Sequence, residues 1–263
     1  MVSNMKNIGF IGTGNMGGAL ISGILKSGER KVFVYDVNEA AAKKYEADGA
    51  KTCASMEELL ENCDAVVLTV KPNIYKAVCQ QIKNAGYNKT VITVAPGITV
   101  AKMKEMLGDI RVVRTMPNTP ALIGKGVFLI AGTEQENQDV KQLLEACGSV
   151  YFLEEKQMDA GVALSGSSPA FVYELINDIA DGAVTGGIPK DKALEIAAQT
   201  VIGSAMMVLE TGIHPAKLID NVCSPGGTTV VAMNKLSEYG FKTAIIEAMK
   251  ACTNKAAEMS KKM

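Results

Sequence analysis

The stretch Asn7-Ile8-Gly9-Phe10-Ile11-Gly12-Thr13-Gly14-Asn15-Met16-Gly17 decides the fold. Its first five residues form a short apolar run that ends in glycine. Met16 to Lys26 then carries apolar residues at helical spacing and stops at Gly28, and Lys31 to Tyr35 is again β-branched and aromatic. Strand, glycine turn, helix and strand in this order make one βαβ unit. Gly12, Gly14 and Gly17 complete the GxGxxG pattern between the strand and the helix. In that context Gly12 allows a tight turn, Gly14 lets the backbone approach a pyrophosphate, and Gly17 lets helix and strand pack closely. Ile11 and Thr13 flank the turn, and Asn15 and Met16 present N–H groups to phosphate at the positive end of the helix. The alternative is a purely structural glycine turn. Asp36 argues against it, because it stands at the end of the second strand, where a dinucleotide site places its acid.

An Asp at that point accepts from a ribose 2′-hydroxyl and repels a 2′-phosphate, and no Arg follows it in the loop. Of NADH and NADPH, these residues favour NADH. Asp36 or Asn38 can equally cap a helix beginning at Glu39, and the two roles are compatible.

The alternation continues. Helical spacing covers Glu39 to Asp48 and begins again at Ile74 and Val100. Strand signals cover Ala65 to Val70, Thr90 to Val94, Arg111 to Val113 and Val127 to Ile130. This predicts a parallel sheet with helices on both faces. From about Leu153 the strand signals stop, and helical segments follow at Lys156 to Leu164, Pro169 to Thr185, Lys190 to Thr211, Pro215 to Val222, Thr228 to Tyr239 and Phe241 to Lys261. The expected organisation is an α/β Rossmann-type dinucleotide-binding domain over residues 1–154 and an all-α substrate-binding and dimerisation domain over residues 155–263. Ligands of open α/β sheets bind beyond the carboxyl ends of the strands, so Val70-Lys71-Pro72 and Ala95-Pro96-Gly97 should border the cofactor. Asn118, in the rigid turn Met116 to Pro120, should lie near the nicotinamide. Lys71 is otherwise a solvated surface charge.

Composition limits the partners. The 263 residues carry 27 Lys and Arg against 28 Asp and Glu, mixed along the chain, which leaves no basic stripe for nucleic acid and no polybasic patch for lipid. Apolar runs are broken by charges short of a membrane span, and the start of the chain shows no signal core, so a cytoplasmic protein with no membrane partner is expected. The six cysteines lack metal-ligand spacing and read as free thiols. His214 is the one histidine, which excludes a histidine metal site; before Pro215 it reads as the cap of a helix end. No metal is expected, and the chemistry must come from the cofactor and from positioning.

Ser224-Pro225-Gly226-Gly227-Thr228-Thr229 precedes another helical run. Two glycines leave the first N–H groups of that helix uncovered, a place for a carboxylate, and the threonine hydroxyls add a directional polar group. A small amino or imino acid fits; an ordinary Gly-rich turn is the alternative. Ala193 to Leu209 is apolar nearly all round. It needs cover from a partner subunit or from its own domain. The small residues Gly182, Ala183, Gly186, Gly187, Gly203, Ser204 and Ala205 suit close approach, and an obligate dimer is expected.

With GxGxxG, the Val-Lys-Pro turn, Met116-Pro117-Asn118-Thr119-Pro120, Leu164-Ser165-Gly166-Ser167-Ser168-Pro169-Ala170, and His214-Pro215 leading to the loop at Ser224 to Thr229, the chain resembles pyrroline-5-carboxylate reductases from end to end. The resemblance implies hydride transfer from NADPH or NADH to the imine carbon of 1-pyrroline-5-carboxylate, giving L-proline. It implies that Ser224, Gly226, Gly227, Thr228 and Thr229 bind the substrate. The backbone near Thr228 and Thr229 would hold the carboxylate, and the Thr229 hydroxyl would meet the ring nitrogen as the catalytic group. It also implies a homodimer, with rings of dimers as a further assembly. Two positions depart from the family: Met56 stands where an Asn often contacts the adenine-side ribose, and Gly212 where some members have Glu. A β-hydroxyacid dehydrogenase is the runner-up, but it needs a Lys on the first long helix of the second domain, and Ser165 to Thr185 contains none. A non-catalytic dinucleotide-binding protein is the third reading, opposed by the intact loop at Ser224 to Thr229.

Overall fold

The computed structural model describes residues 5–262. Eight strands form one sheet: β1 (Asn7–Ile11), β2 (Lys31–Tyr35), β3 (Lys51–Thr52), β4 (Ala65–Leu68), β5 (Thr90–Thr93), β6 (Val112–Met116), β7 (Gly126–Ala131) and β8 (Gly148–Leu153). Their spatial order is β3-β2-β1-β4-β5-β6-β7-β8. The helices α1 (Asn15–Ser27), α2 (Glu39–Lys43), α3 (Met56–Asn62), α4 (Tyr75–Asn84) and α5 (Val100–Leu107) link the first six strands, and every pair among these is parallel. The order reverses between β1 and β4, and a crevice at such a switch point is where doubly wound sheets bind ligands. Side chains of β1 alternate between two cores: Ile8 and Phe10 pack with Leu20, Ile24 and Phe128 on one face, and Ile11 packs with Leu59, Leu68 and Tyr75 on the other. Both faces are covered, which is why these strands read as nearly continuous apolar runs.

The sheet is not parallel throughout, as the alternation had led one to expect. β7 pairs antiparallel with β6, Thr115 opposite Ile130 and Met116 opposite Leu129. Between β6 and β7 the chain holds only a 3₁₀ turn, Thr119–Ile123, and a parallel return would need a crossover of a dozen or more residues. α6 (Glu134–Leu144) provides such a crossover between β7 and β8, which pair parallel. α6 is tied to the sheet through buried Asp139, whose carboxylate oxygens accept from both Arg111 terminal nitrogens, at 2.5 and 2.8 Å.

A single helix over Lys156 to Leu164 does not form. α7 (Met158–Gly161) gives way to a π-helical turn, Val162–Ser167. Ser165 Oγ donates to the Gly161 carbonyl at 3.2 Å, competing with the backbone ladder as a mid-helix serine can.

Contacts group the chain into two units, one running to Ser167 and resuming at Ala251, the other Ser168–Lys250. The second unit is helical: α8 (Ser168–Thr185), α9 (Lys190–Thr211), α10 (Pro215–Val222), α11 (Thr228–Glu238) and the first turns of α12 (Phe241–Lys262). α8 and α9 meet at the small residues Ala180, Ala193 and Ala197. His214 caps α10, its Nδ1 accepting from the Ala216 N–H at 3.2 Å. Along α9 only Ala193 and Ala197 are buried, while Ile196, Ile202, Met206, Met207 and Leu209 remain 47–75% exposed. By length and composition α9 is apolar enough to cross a membrane, although Glu195 and Glu210 bound its uncharged run, as expected. A helix covered by a second subunit passes the same test.

Candidate dinucleotide and substrate sites

The three glycines of the first turn are required for three different reasons. Gly12 has φ +96°, a region side chains avoid, and a Cβ there would stand 2.9 Å from Val70 Cγ1. A Cβ on Gly17 would stand 2.5 Å from the Gly12 carbonyl oxygen, a backbone atom that cannot move aside. A Cβ on Gly14 would meet no protein atom within 4 Å. Gly14 is the N-cap of α1, with no side chain bonded to the cap and no acid in the first turn, where Asn15 and Met16 begin the helix. Uncovered N–H groups at a positive helix end, with open space before them, form a cradle for an anion. Thr69, unremarked in the sequence, supports this turn by donating to the Gly12 carbonyl at 2.5 Å.

Asp36 is locked to the same turn. Its Oδ2 accepts from the Thr13 N–H at 2.7 Å and the Thr13 hydroxyl at 2.9 Å, and its Oδ1 from the Asn38 N–H at 2.9 Å. A carboxylate has about four acceptor positions, so one remains on Oδ1 for a hydroxyl. Ile11, Gly12, Gly14, Asp36, Val70 and Lys71 line one cavity of about 440 Å³. Its apolar walls include Met56, Val78, Ile74 and Val37, the last 92% exposed and free to face a flat ring. Pro72 opens the 3₁₀ turn Pro72–Ile74 that carries Ile74 to this wall. An anion cradle, a ribose acceptor and an apolar slot in one cavity fit a dinucleotide.

Ala95, Pro96 and Gly97 follow β5 without lining this cavity; Ala95 is buried, and Gly97 turns with φ +78°. Asn118 does not line it either. Its buried side chain donates to the Ser165 carbonyl and accepts from the Val127 N–H, so the turn after β6, the start of β7 and the π-helical turn are held together.

In the helical unit, the Gly227 N–H donates to the Ser224 carbonyl at 2.9 Å, and Gly226 has φ +71°. Pro at the second place and a positive-φ Gly at the third are the residues of a type II turn. A Cβ on Gly227 would come within 2.5 Å of Ser224 Oγ. Gly227 is the N-cap of α11, again with no side-chain cap and no acid in the first turn, where Thr228 and Thr229 stand. The chain thus builds the same device twice, a helix opened by an N-cap glycine with no side-chain cap and no acid in its first turn.

Comparison with known proteins accords with this geometry. The family model for pyrroline-5-carboxylate reductase dimerisation matches residues 155–259, and that for coenzyme F420-dependent NADP oxidoreductase matches residues 7–97. The pyrroline-5-carboxylate reductase of Escherichia coli (strain K12) is 39% identical over 266 residues, covering 97% of this chain and 99% of its own. The crystal structure of Plasmodium falciparum pyrroline carboxylate reductase with NADP bound superposes with a TM-score of 0.87 at 32% identity, over 99% of this chain and 100% of that one. A pyrroline-5-carboxylate reductase structure from Coxiella burnetii gives 0.89 at 32% identity, over 99% of both. Shared identity at this level across nearly the whole of both chains establishes that the protein belongs to the pyrroline-5-carboxylate reductase family.

Proposed function

We propose an assignment of roles for the reaction of this family, reduction of 1-pyrroline-5-carboxylate to L-proline. Gly12 to Gly17 hold the pyrophosphate, with Ile11, Thr13, Val70, Lys71 and Pro72 around the nucleotide. Ala95 to Gly97 and Asn118 shape the strand ends toward the nicotinamide. When bound, NADH or NADPH supplies the hydride. Asp36 favours NADH, since its remaining acceptor position suits a ribose hydroxyl and its charge opposes a 2′-phosphate.

The loop Ser224 to Thr229 receives the imino acid. The N–H groups at Thr228 and Thr229 bind the carboxylate at the positive end of α11, and the Thr229 hydroxyl meets the ring nitrogen. A protonated cyclic imine is already electrophilic. Hydride added at the imine carbon pairs with the C=N π electrons moving to nitrogen, so no strong protein acid is needed and positioning supplies much of the acceleration. The observation that carries this reading is the second glycine-opened, uncapped helix at Thr228. Deuterium from NADH carrying two deuterons at C4 should appear at C5 of the proline formed; unlabelled proline would refute direct hydride transfer.

Residues 1–154 are the dinucleotide-binding part and residues 155–263 the substrate-binding and dimerisation part under this reading, which the dimerisation family match supports. The chain forms a homodimer through α9 and its neighbours, and rings of dimers are a further assembly. The cytoplasm is the proposed compartment, in keeping with six free thiols.

A further inference from the structure

A second cavity, of about 410 Å³, adjoins the dinucleotide cavity, and Tyr35, Asp36 and Val37 line both. Its other walls include Glu39, Lys43 and Glu46. A ribose that meets Asp36 directs its 2′-substituent to this side, so the charges here act on the one group that separates NADPH from NADH. Three carboxylates face one ammonium. That ammonium is already engaged, since Lys43 Nζ lies 2.6 Å from Glu39 Oε1, one helical turn away on α2. The Glu39 contact, and beyond it Glu46, hold the Lys43 ammonium above its ordinary range, so it is charged and occupied.

We propose that Glu39 is a second cofactor-specificity residue: it withholds Lys43 from a 2′-phosphate and adds its own negative charge to those of Asp36 and Glu46. This rests on the reading of Asp36 and the Gly12 to Gly17 turn as the nucleotide site. Adenine, both riboses and the pyrophosphate are common to the two cofactors and cancel in the ratio of their affinities. What remains is the 2′-phosphate against its neighbours. A like charge several ångströms away at partly exposed positions changes that ratio by about tenfold. Replacing Asp36 alone leaves Glu39 and its hold on Lys43 in place, so the full change of preference requires Glu39 as well.

Calorimetric titration of the full chain with NADP⁺ and NAD⁺ tests this without reference to turnover. The unmutated protein reports on Asp36: tighter binding of NADP⁺ than of NAD⁺ would sink the Asp36 reading by itself. The change on substitution reports on Glu39. Glu39→Gln should tighten NADP⁺ by about tenfold, and adding Lys43→Met in that background should remove most of the gain, leaving the part due to the lost Glu39 charge. Raising ionic strength from about 0.05 to about 0.5 M should narrow the gap between the two dinucleotides in the unmutated protein by screening the repulsion. Glu39 is 73% exposed in its side chain, so Gln there leaves packing alone. An NADP⁺ affinity unchanged within about twofold in Glu39→Gln, or a gain that Lys43→Met leaves undiminished, would overturn the proposal.

Discussion

Asn118 Nδ2 donates to the Ser165 carbonyl oxygen at 3.0 Å, while Asn118 Oδ1 accepts from the Val127 N–H at 2.8 Å. One side chain therefore fixes the turn after β6, the antiparallel start of β7 and the π-helical turn that leads into α8. A π-helical turn leaves backbone carbonyls outside the regular ladder, and such turns occur often at functional sites. Here a carboxamide takes up the Ser165 carbonyl.

Asn118→Ala leaves a buried carbonyl and a half-buried N–H without partners. It should cost about 1–3 kcal/mol of stability. Asn118→Asp should cost as much or more, since a carboxylate cannot donate to the Ser165 carbonyl. Denaturant melts of the two variants check this, and unchanged midpoints would remove Asn118 from its bridging role.

The contrast between Gly14 and Gly17 separates binding from folding. Gly14→Ala places its Cβ in open space and should leave the melting temperature nearly unchanged while weakening NADH binding. Gly17→Ala forces a Cβ against the Gly12 carbonyl, so stability and binding should fall together, by about 1–3 kcal/mol in stability. Equal behaviour of the two variants in thermal melts and in NADH titrations would contradict the roles assigned to them.

The first turn is legible in the sequence because glycine spacing reports local backbone demands, and each glycine meets its own obstacle or opening. Helix α9 is legible for a similar reason: apolar residues on every face predict a surface its own chain leaves uncovered. The direction of β7 is not legible from strand propensity, since it is set by the shortness of the link after Met116. The π-helical turn is tied to Asn118, 47 residues before Ser165, and no local pattern carries that contact. Thr69 goes unremarked because a threonine at a strand end is common, and only the fold brings its hydroxyl to the Gly12 carbonyl.

Acid should act through Asp139. Burial pushes its carboxyl up, but the Arg111 hydrogen bonds and charge outweigh this and hold it below the usual aspartate value. A folded-state value below the unfolded one, about 3.9, means that the pair's contribution is present above about pH 4 and is lost as pH falls through the folded value. Melting temperatures of Asp139→Asn should be lower than those of the unmutated protein at neutral pH, and the two should converge below about pH 4. A constant gap at all pH values would contradict this.

The single chain leaves the apolar residues of α9 exposed, and a second copy is expected to cover them. Light scattering at micromolar concentration should give at least a dimer. Met206→Glu, placed at the exposed face of α9, should shift the protein toward monomers. A stable, active monomer of the unmutated chain would show that α9 needs no second subunit to cover it.

The loop from Ser224 to Thr229 is proposed to receive the imino acid, with Thr229 acting on its nitrogen. The direct measurement is steady-state oxidation of NADH on addition of 1-pyrroline-5-carboxylate, by the unmutated protein and by Thr229→Ala, with NADH affinity determined separately. One proline should form per NADH oxidised, and kcat/KM for the imine should fall by about 5- to 150-fold in the variant, corresponding to about 1–3 kcal/mol, with NADH affinity unchanged. Unmutated imine kinetics in Thr229→Ala, or no NADH oxidation by either protein, would contradict this assignment.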